Sequence, residues 1–210
     1  RKLFSFADGI VFQTEGAKKY FNSKIQTKGK VIANPVINIM KLASENFKYN
    51  EASKDIVCVS RFDVNQKRQD LMIKAFNEVV KKHSDMRLIF YGDGNDLPMI
   101  KKMVNDYKLT DSVVFKGKVN NVVEKISNSR VFVLTSDYEG IPNALIEAMA
   151  VGLPVISTDC SPGGARVLIE NYANGIIVPR GDVDKLAAAI TYIIENKSIA
   201  REMGERAKEI

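Results

Sequence analysis

With 210 residues, the chain is long enough for one or two domains with a buried core. A composition of 45% hydrophobic and 27% charged residues excludes a disordered or fibrous protein. The net charge of +6, from 31 basic against 25 acidic residues, favours anionic partners such as phosphates or acidic membranes. Trp is absent and the basic residues are scattered, so nucleic acid is not indicated.

In chain order, Ala7–Gln13 reads as a strand, Thr14 caps a helix running through Tyr20, and Val31–Ala33 is a short strand before Asn34-Pro35. This piece is too small to hold its own core, so residues 1–34 are expected to be the tail of a preceding domain. Residues 35–55 are irregular and polar, as in an inter-domain connection. Short β-branched runs then alternate with amphipathic ones. Strands are predicted at Ile56–Ser60, Met86–Tyr91, Ser112–Lys116, Arg130–Thr135, Pro154–Thr158 and Gly175–Val178. Helices are predicted at Gln69–His83, Leu97–Tyr107, Val122–Ser127, Asn143–Val151 and Val183–Glu195. In the last, Val183, Leu186, Ile190, Ile193 and Ile194 share one face, and Asp182 is the N-cap. The alternation predicts an α/β fold over 56–195, a Rossmann-like parallel sheet with helices on both faces. Residues 196–210 are read as a truncated C-terminal helix, and Arg1 as the start of a fragment of something longer.

Cys58 and Cys160 match no metal spacing and cannot build a disulfide framework, which favours a reducing, cytoplasmic setting. The single histidine, His83, argues against His-based metal sites and Ser-His-Asp catalysis, and its place beside Lys81 and Lys82 suits a helix C-terminus. The longest apolar stretch, 141–156, is broken by Pro142, Asn143, Glu147 and Pro154 and cannot span a membrane.

Chemistry is expected in the loops at the carboxyl ends of the strands. After the first come Arg61 and Lys67, either a clamp for a diphosphate at a helix entrance or two solvated charges. Gly92-Asp93-Gly94 follows the second and permits close approach to a ligand or a plain turn; Leu97 stands where a dinucleotide fingerprint would need its third Gly. Gly117, with Lys118 and Val119, closes the third. The strongest signal follows the fourth. Glu139 lies in the loop, Gly140 lets that loop approach a ligand, and Pro142 leads into a helix with the amides of Asn143, Ala144 and Leu145 at its positive end. Glu147 then interrupts an apolar helix. It is either a hydrogen-bond acceptor for sugar hydroxyls or a helix-terminus acid. Asp182-Val183-Asp184 has a metal-binding spacing, but it opens an amphipathic helix, where capping is the ordinary role.

Glu139 and Glu147, with seven residues between them, form an E-x7-E pair inside Glu-Gly-Ile-Pro-Asn-Ala-Leu-Ile-Glu-Ala-Met-Ala. This segment resembles retaining glycosyltransferases of the GT-B fold, family 4. The likeness extends to Asn34-Pro35-Val36, Ser60-Arg61-Phe62 with Lys67, Gly92-Asp93-Gly94, Phe115-Lys116-Gly117 and Pro179-Arg180-Gly181-Asp182. It implies that residues 56–195 are the donor-binding, C-terminal half of such an enzyme and residues 1–34 the end of its N-terminal acceptor domain. Arg61 and Lys67 would then neutralise the donor diphosphate, Glu139 would contact the donor sugar and Glu147 the ribose. The amides after Pro142 would hold phosphate, and Gly117, Lys118 and Val119 would lie near the base. A UDP-sugar is the expected donor and a surface polysaccharide or lipid-linked glycan the expected acceptor. No cofactor or metal is expected. The pattern is broken after Gly163-Gly164, where no acid follows until Glu170 and Arg166 is read as solvated. Lysines 18, 19, 24, 28 and 30 allow contact with the inner membrane surface, although a solvated face is the stronger reading. The rivals are a GT-B nucleotide-sugar epimerase and a non-catalytic nucleotide-binding module; the broken glycine fingerprint disfavours an NAD oxidoreductase.

Overall fold

A computed structural model of the protein describes residue 4 and residues 6–33 and 48–209; the Asn34-Pro35-Val36 motif lies outside them. Near the N-terminus, β1 (Ile10–Phe12) and β2 (Gly29–Val31) pair in parallel, with α1 (Glu15–Lys19) and α2 (Ser23–Gln26) between them. Thr14 caps α1 as predicted, accepting from the Ala17 N–H at 2.9 Å. Asn22 caps α2 in the same way, at 3.1 Å from the Ile25 nitrogen. Both strands differ from expectation. β1 is shorter, and β2 begins at Gly29 rather than Val31 because Gly29 packs against the Phe12 ring, where a Cβ would collide. Hydrophobicity alone points past that glycine.

The next element is β3 (Asp55–Val59), followed by α3 (Val64–Lys67) and α4 (Gln69–Lys82). Then come β4 (Arg87–Tyr91), α5 (Leu97–Asp106), β5 (Val113–Phe115), α6 (Val122–Ile126), β6 (Val131–Leu134) and α7 (Asn143–Ala150). The chain continues through β7 (Val155–Thr158), α8 (Gly164–Leu168), β8 (Ile176–Val178), α9 (Val183–Glu195) and α10 (Lys197–Ala207). These six strands form one all-parallel sheet in the order β5-β4-β3-β6-β7-β8.

Successive side chains point to opposite faces, and both faces are dry. Ile56 and Cys58 join a core with Leu71, Phe76, Ile100 and Ile190, from α4, α5 and α9. Val57 enters a second core with Ile126, Leu145, Met149 and Ala165, from α6, α7 and α8. Burial on both faces is why these strands read as continuous apolar runs. The doubly covered parallel sheet is the α/β fold predicted, with strand ends shifted by a residue or so; β3 starts one residue earlier than predicted and the others are trimmed. The short helices α2, α3 and α8 lie outside the predicted elements; at four or five residues their periodicity is too short to mark them without an adjoining cap or apolar stripe.

Sheet order matters for the site. The chain builds outward from β3 through β4 to β5, then returns to lay β6 on the other side of β3. The loops after β3 and β6 therefore diverge and leave a crevice at the topological switch point. Behind the sheet, Arg130 is fully buried and donates to the carbonyls of Glu51 (2.6 Å), Ile193 (2.9 Å) and Ile194 (2.7 Å). It satisfies orphan carbonyls at the end of α9 and opposes the helix dipole there. Tyr49 lies 5.7 Å beneath the guanidinium, and its hydroxyl donates to the Arg130 carbonyl. Desolvation pushes this phenol up to about 12.

Candidate functional site

Two charged groups from the diverging loops meet across the crevice. Lys67 Nζ lies 2.5 Å from Glu139 Oε1, with side chains only 18% and 11% exposed. The hydroxyl of Ser136 donates to the same oxygen at 2.6 Å. Lys67 ends the one-turn α3 and stands two residues before the start of α4, at the predicted helix entrance. Arg68, with φ +51°, separates α3 from α4. A non-glycine residue in this region is strained, and its guanidinium holds it there by bonding Asp70 (3.0 and 3.2 Å) and Asp137 (3.0 Å). Burial opposes the Asp70 charge, but Arg68 and Lys74 outweigh it and keep this carboxyl below its usual range. The β6 loop also grips α3 through the backbone. Thr135 Oγ1 donates to the Lys67 carbonyl at 2.7 Å, and the Asp137 N–H to that of Gln66 at 2.8 Å.

Arg61 is 65% exposed and bonds Asp63 at 2.9 Å. Both line a depression of about 290 Å³ with Phe62, Asn65, Gly94 and Asp96. Gly92 and Gly94 make their close approaches to the chain itself: a Cβ would strike the carbonyl of Ser60 at Gly92 and that of Phe62 at Gly94. The Gly92 N–H donates to the Gly117 carbonyl at 2.8 Å, which knits the β3, β4 and β5 loops together. Beyond Gly117, at φ +66°, Lys118 is exposed and Val119 half-buried.

The loop that carries Glu139 is held on two sides. Its N–H donates to the Ser161 carbonyl (2.8 Å), while the Ser161 N–H donates to that of Asp137 (2.9 Å). Gly164 packs against the Gly140 carbonyl with no room for a Cβ. From the N-terminal unit, the Gln13 side-chain carbonyl accepts from the Ile141 N–H at 3.3 Å and fills the space a Cβ on Gly140 would need. Gly140 thus makes room for Gln13 and Gly164, contacts made within the protein itself.

Helix α7 starts at Pro142 without a side-chain cap. Of the three amides expected free, that of Leu145 donates back to the Pro142 carbonyl at 3.1 Å. The N–H groups of Asn143 and Ala144 have no partner among the described residues. One turn on, Glu147 is half-buried and has no hydrogen-bond or ion-pair partner among the described residues. Burial alone pushes its carboxyl above the usual range. Dipole stabilisation of acids fades beyond the first helical turn, and Glu147 stands in the second.

Other candidates resolve into ordinary roles. Asp182 caps α9, accepting from the Lys185 N–H at 2.9 Å. Arg166 is 64% exposed but pairs in bidentate fashion with Asp159, both bonds 2.6 Å. Cys58 and Cys160 are buried, and desolvation raises both thiols. His83 ends α4, with Nε2 3.2 Å from a Glu195 oxygen. Among the described residues, no three His, Cys, Asp or Glu side chains converge as a metal-binding group. No helix among them is long and apolar enough to cross a membrane. A groove of about 460 Å³ between α4 and α9 lies in the outer helical layer and brings together none of the candidate groups. Thr135, Ser136 and Arg68, which hold Lys67 and Glu139, were missed; the one available signal was a pair of hydroxyls directly after an apolar strand.

A six-stranded parallel sheet, covered on both faces and with its charged pair at the switch point, has the Rossmann-like fold of the C-terminal half of GT-B glycosyltransferases. A mutant TarM of S. aureus, crystallised with UDP, fondaparinux and alpha-GlcNAc-glycerol, shares this fold with a TM-score of 0.85 and 27% identity, over 96% of this chain and 40% of that one. The chain belongs to the family described as glycosyl transferases group 1, whose model matches residues 41–210. It is 29% identical over 202 residues to an uncharacterized glycosyltransferase of Haemophilus influenzae, covering 96% of this chain and 56% of that protein. It is also 32% identical over 162 residues to a poly(ribitol-phosphate) alpha-N-acetylglucosaminyltransferase of Staphylococcus aureus, covering 77% of this chain and 32% of that one. The chain thus spans little more than half, or less, of the relatives it matches.

Proposed function

We propose that this chain is the donor-binding part of an enzyme that transfers a sugar, with retention, from a UDP-sugar to a growing surface polysaccharide or lipid-linked glycan. The observation that carries the reading is Glu147, a desolvated carboxylate without a partner among the described residues, one turn inside a helix that starts uncapped. A buried charge left without hydrogen bonds is costly unless a ligand supplies them. Ribose hydroxyls are donors of the right kind, and the Asn143 and Ala144 amides at the helix start are donors for the adjoining phosphate.

In this reading the leaving diphosphate is stabilised by Lys67, Arg61 and the α7 N-terminus without a metal ion, and Glu139 accepts from a hydroxyl of the donor sugar. Gly92, Gly94 and Gly117 shape the floor on which the nucleotide rests, with Lys118 and Val119 beside the base. UDP in the related TarM crystal supports a UDP-linked donor. The acceptor would bind through the remainder of the N-terminal domain. A lipid-linked one would bring the enzyme to the inner membrane face, where the lysines of α1 and α2 could meet acidic headgroups. The test is to incubate the full-length protein with a panel of UDP- and GDP-sugars and follow nucleotide release. Release of UDP from one donor, dependent on acceptor, supports the proposal. Turnover of none, with intact binding of UDP, would reduce the chain to a nucleotide-binding module.

A further inference from the structure

Ser136 has no part in the function proposed above, yet it is fully buried at the carboxyl end of β6. Its hydroxyl donates to Glu139 Oε1 at 2.6 Å, beside the Lys67 ammonium at 2.5 Å on the same oxygen. Its carbonyl is held from behind by Thr158 Oγ1 at 2.5 Å, from a second fully buried hydroxyl at the end of β7. The neighbouring Thr135 fixes the main chain of Lys67. Hydroxyls at the ends of two adjacent strands thus hold both partners of the ion pair. Glu139 Oε1 has two donors, whereas Oε2 has no partner among the described residues.

A carboxylate that carries both its donors on one oxygen has its plane and rotamer set. We infer that Ser136 is a positioning residue for Glu139, fixing Oε1 so that Oε2 is presented to the hydroxyl of the donor sugar. The inference rests on the proposed role of Glu139. A lysine alone would leave the carboxylate free to pivot about one flexible ammonium, since an ammonium is a point charge with rotatable donors. A hydroxyl anchored on the sheet is a fixed donor, and preorganised donors cost no rearrangement when the reaction begins.

The test uses the full-length protein with Ser136→Ala, Ser136→Thr, Glu139→Gln and the Ser136→Ala/Glu139→Gln double variant. Four quantities are read: kcat, donor KM, UDP affinity and melting temperature. Ser136→Ala is expected to lower kcat about tenfold or more, as misplacement of a reacting group does, with UDP affinity and melting temperature little changed. Ser136→Thr, which keeps the hydroxyl, should recover most of the rate. In the Glu139→Gln background, Ser136→Ala should have no further effect, because residues that act through one another are not additive. Full activity of Ser136→Ala, while Glu139→Gln is impaired, would overturn the positioning role and leave the Glu139 assignment standing. Additive losses in the double variant, or parallel losses of UDP affinity and melting temperature in Ser136→Ala, would overturn it too. Full activity of Glu139→Gln would overturn the Glu139 assignment and the inference together. Should Ser136→Thr be too large for its site, Ser136→Cys, which retains only a weak donor, is expected to fall between Ser136→Ala and the parent.

Discussion

The ammonium of Lys67 and the carboxylate of Glu139 lie 2.5 Å apart, although 72 positions separate them in the chain. The pair ties the loop after β3 to the loop after β6, so each residue is held in place before any ligand arrives. Glu139→Gln releases Lys67 without removing it. UDP affinity should therefore not fall, and should rise if the freed ammonium turns to the diphosphate, while the full-length enzyme loses rate with its donor. Weaker UDP binding, measured by calorimetry, would move Glu139 from the sugar to the nucleotide.

Lys67→Met has the opposite character, because it strands a carboxylate that is 11% exposed. Its cost in stability should be about 1–3 kcal/mol, since hydrogen bonds to charged groups are the strong ones. Adding Glu139→Gln should recover part of that loss. Chemical denaturation of both singles and the double gives the coupling, and simple additivity would show that the pair contributes nothing to the fold.

The Glu147 carboxyl is raised above its ordinary 4.5 by burial. Above 4.5, and up to its higher value in the folded chain, the native state holds more of this proton than the unfolded one, so its contribution to stability falls as pH rises. Glu147→Gln should therefore melt like the parent below about pH 4.5 and at a higher temperature at pH 7, with the gap opening as pH rises through the folded range. Thermal melts across pH check the sign. A neutral-pH loss would mean that the carboxylate has a partner in the free protein.

Gly163 and Gly164 are adjacent but should respond differently. An alanine at Gly163 meets open space and only the strain of φ +96°, about 1–2 kcal/mol. At Gly164 it would run into the Gly140 carbonyl, with overpacking of about 1–3 kcal/mol and displacement of the Glu139 loop. Gly164→Ala should lose transfer activity in the full-length protein and Gly163→Ala should keep it. Equal activities would show that the two loops are not mechanically linked.

Arg130→Met removes the donor to three carbonyls behind the sheet. A loss of roughly 2–5 kcal/mol is expected in denaturation, for leaving buried acceptors unsatisfied. UDP affinity of the folded protein should not change, because the residue lies at the amino end of β6, opposite the site.

The sheet and its long helices were legible because both faces are covered: apolar runs mark the strands and one-sided stripes mark α4, α5 and α9. Glu147 was legible too, as an acid where the helix should be apolar. The Lys67–Glu139 contact was not, since it depends on β6 returning to the side of β3, a relation between distant segments that no local pattern encodes. Arg68 hides its backbone turn behind a residue type that normally avoids it. Gly92, Gly94 and Gly140 were visible as places needing bare backbone, but what fills the space is the protein itself at Ser60, Phe62 and Gln13.

Titration of UDP in EDTA into the parent chain and its Glu147→Gln variant tests the nucleotide site most directly. The parent should bind without divalent metal, because Lys67, Arg61 and the start of α7 supply the counter-charge. Glu147→Gln should weaken that binding by about 1–3 kcal/mol, the worth of a hydrogen bond to a charged acceptor. Binding that requires Mg²⁺ or Mn²⁺, or equal affinity in the two proteins, would contradict the assignment.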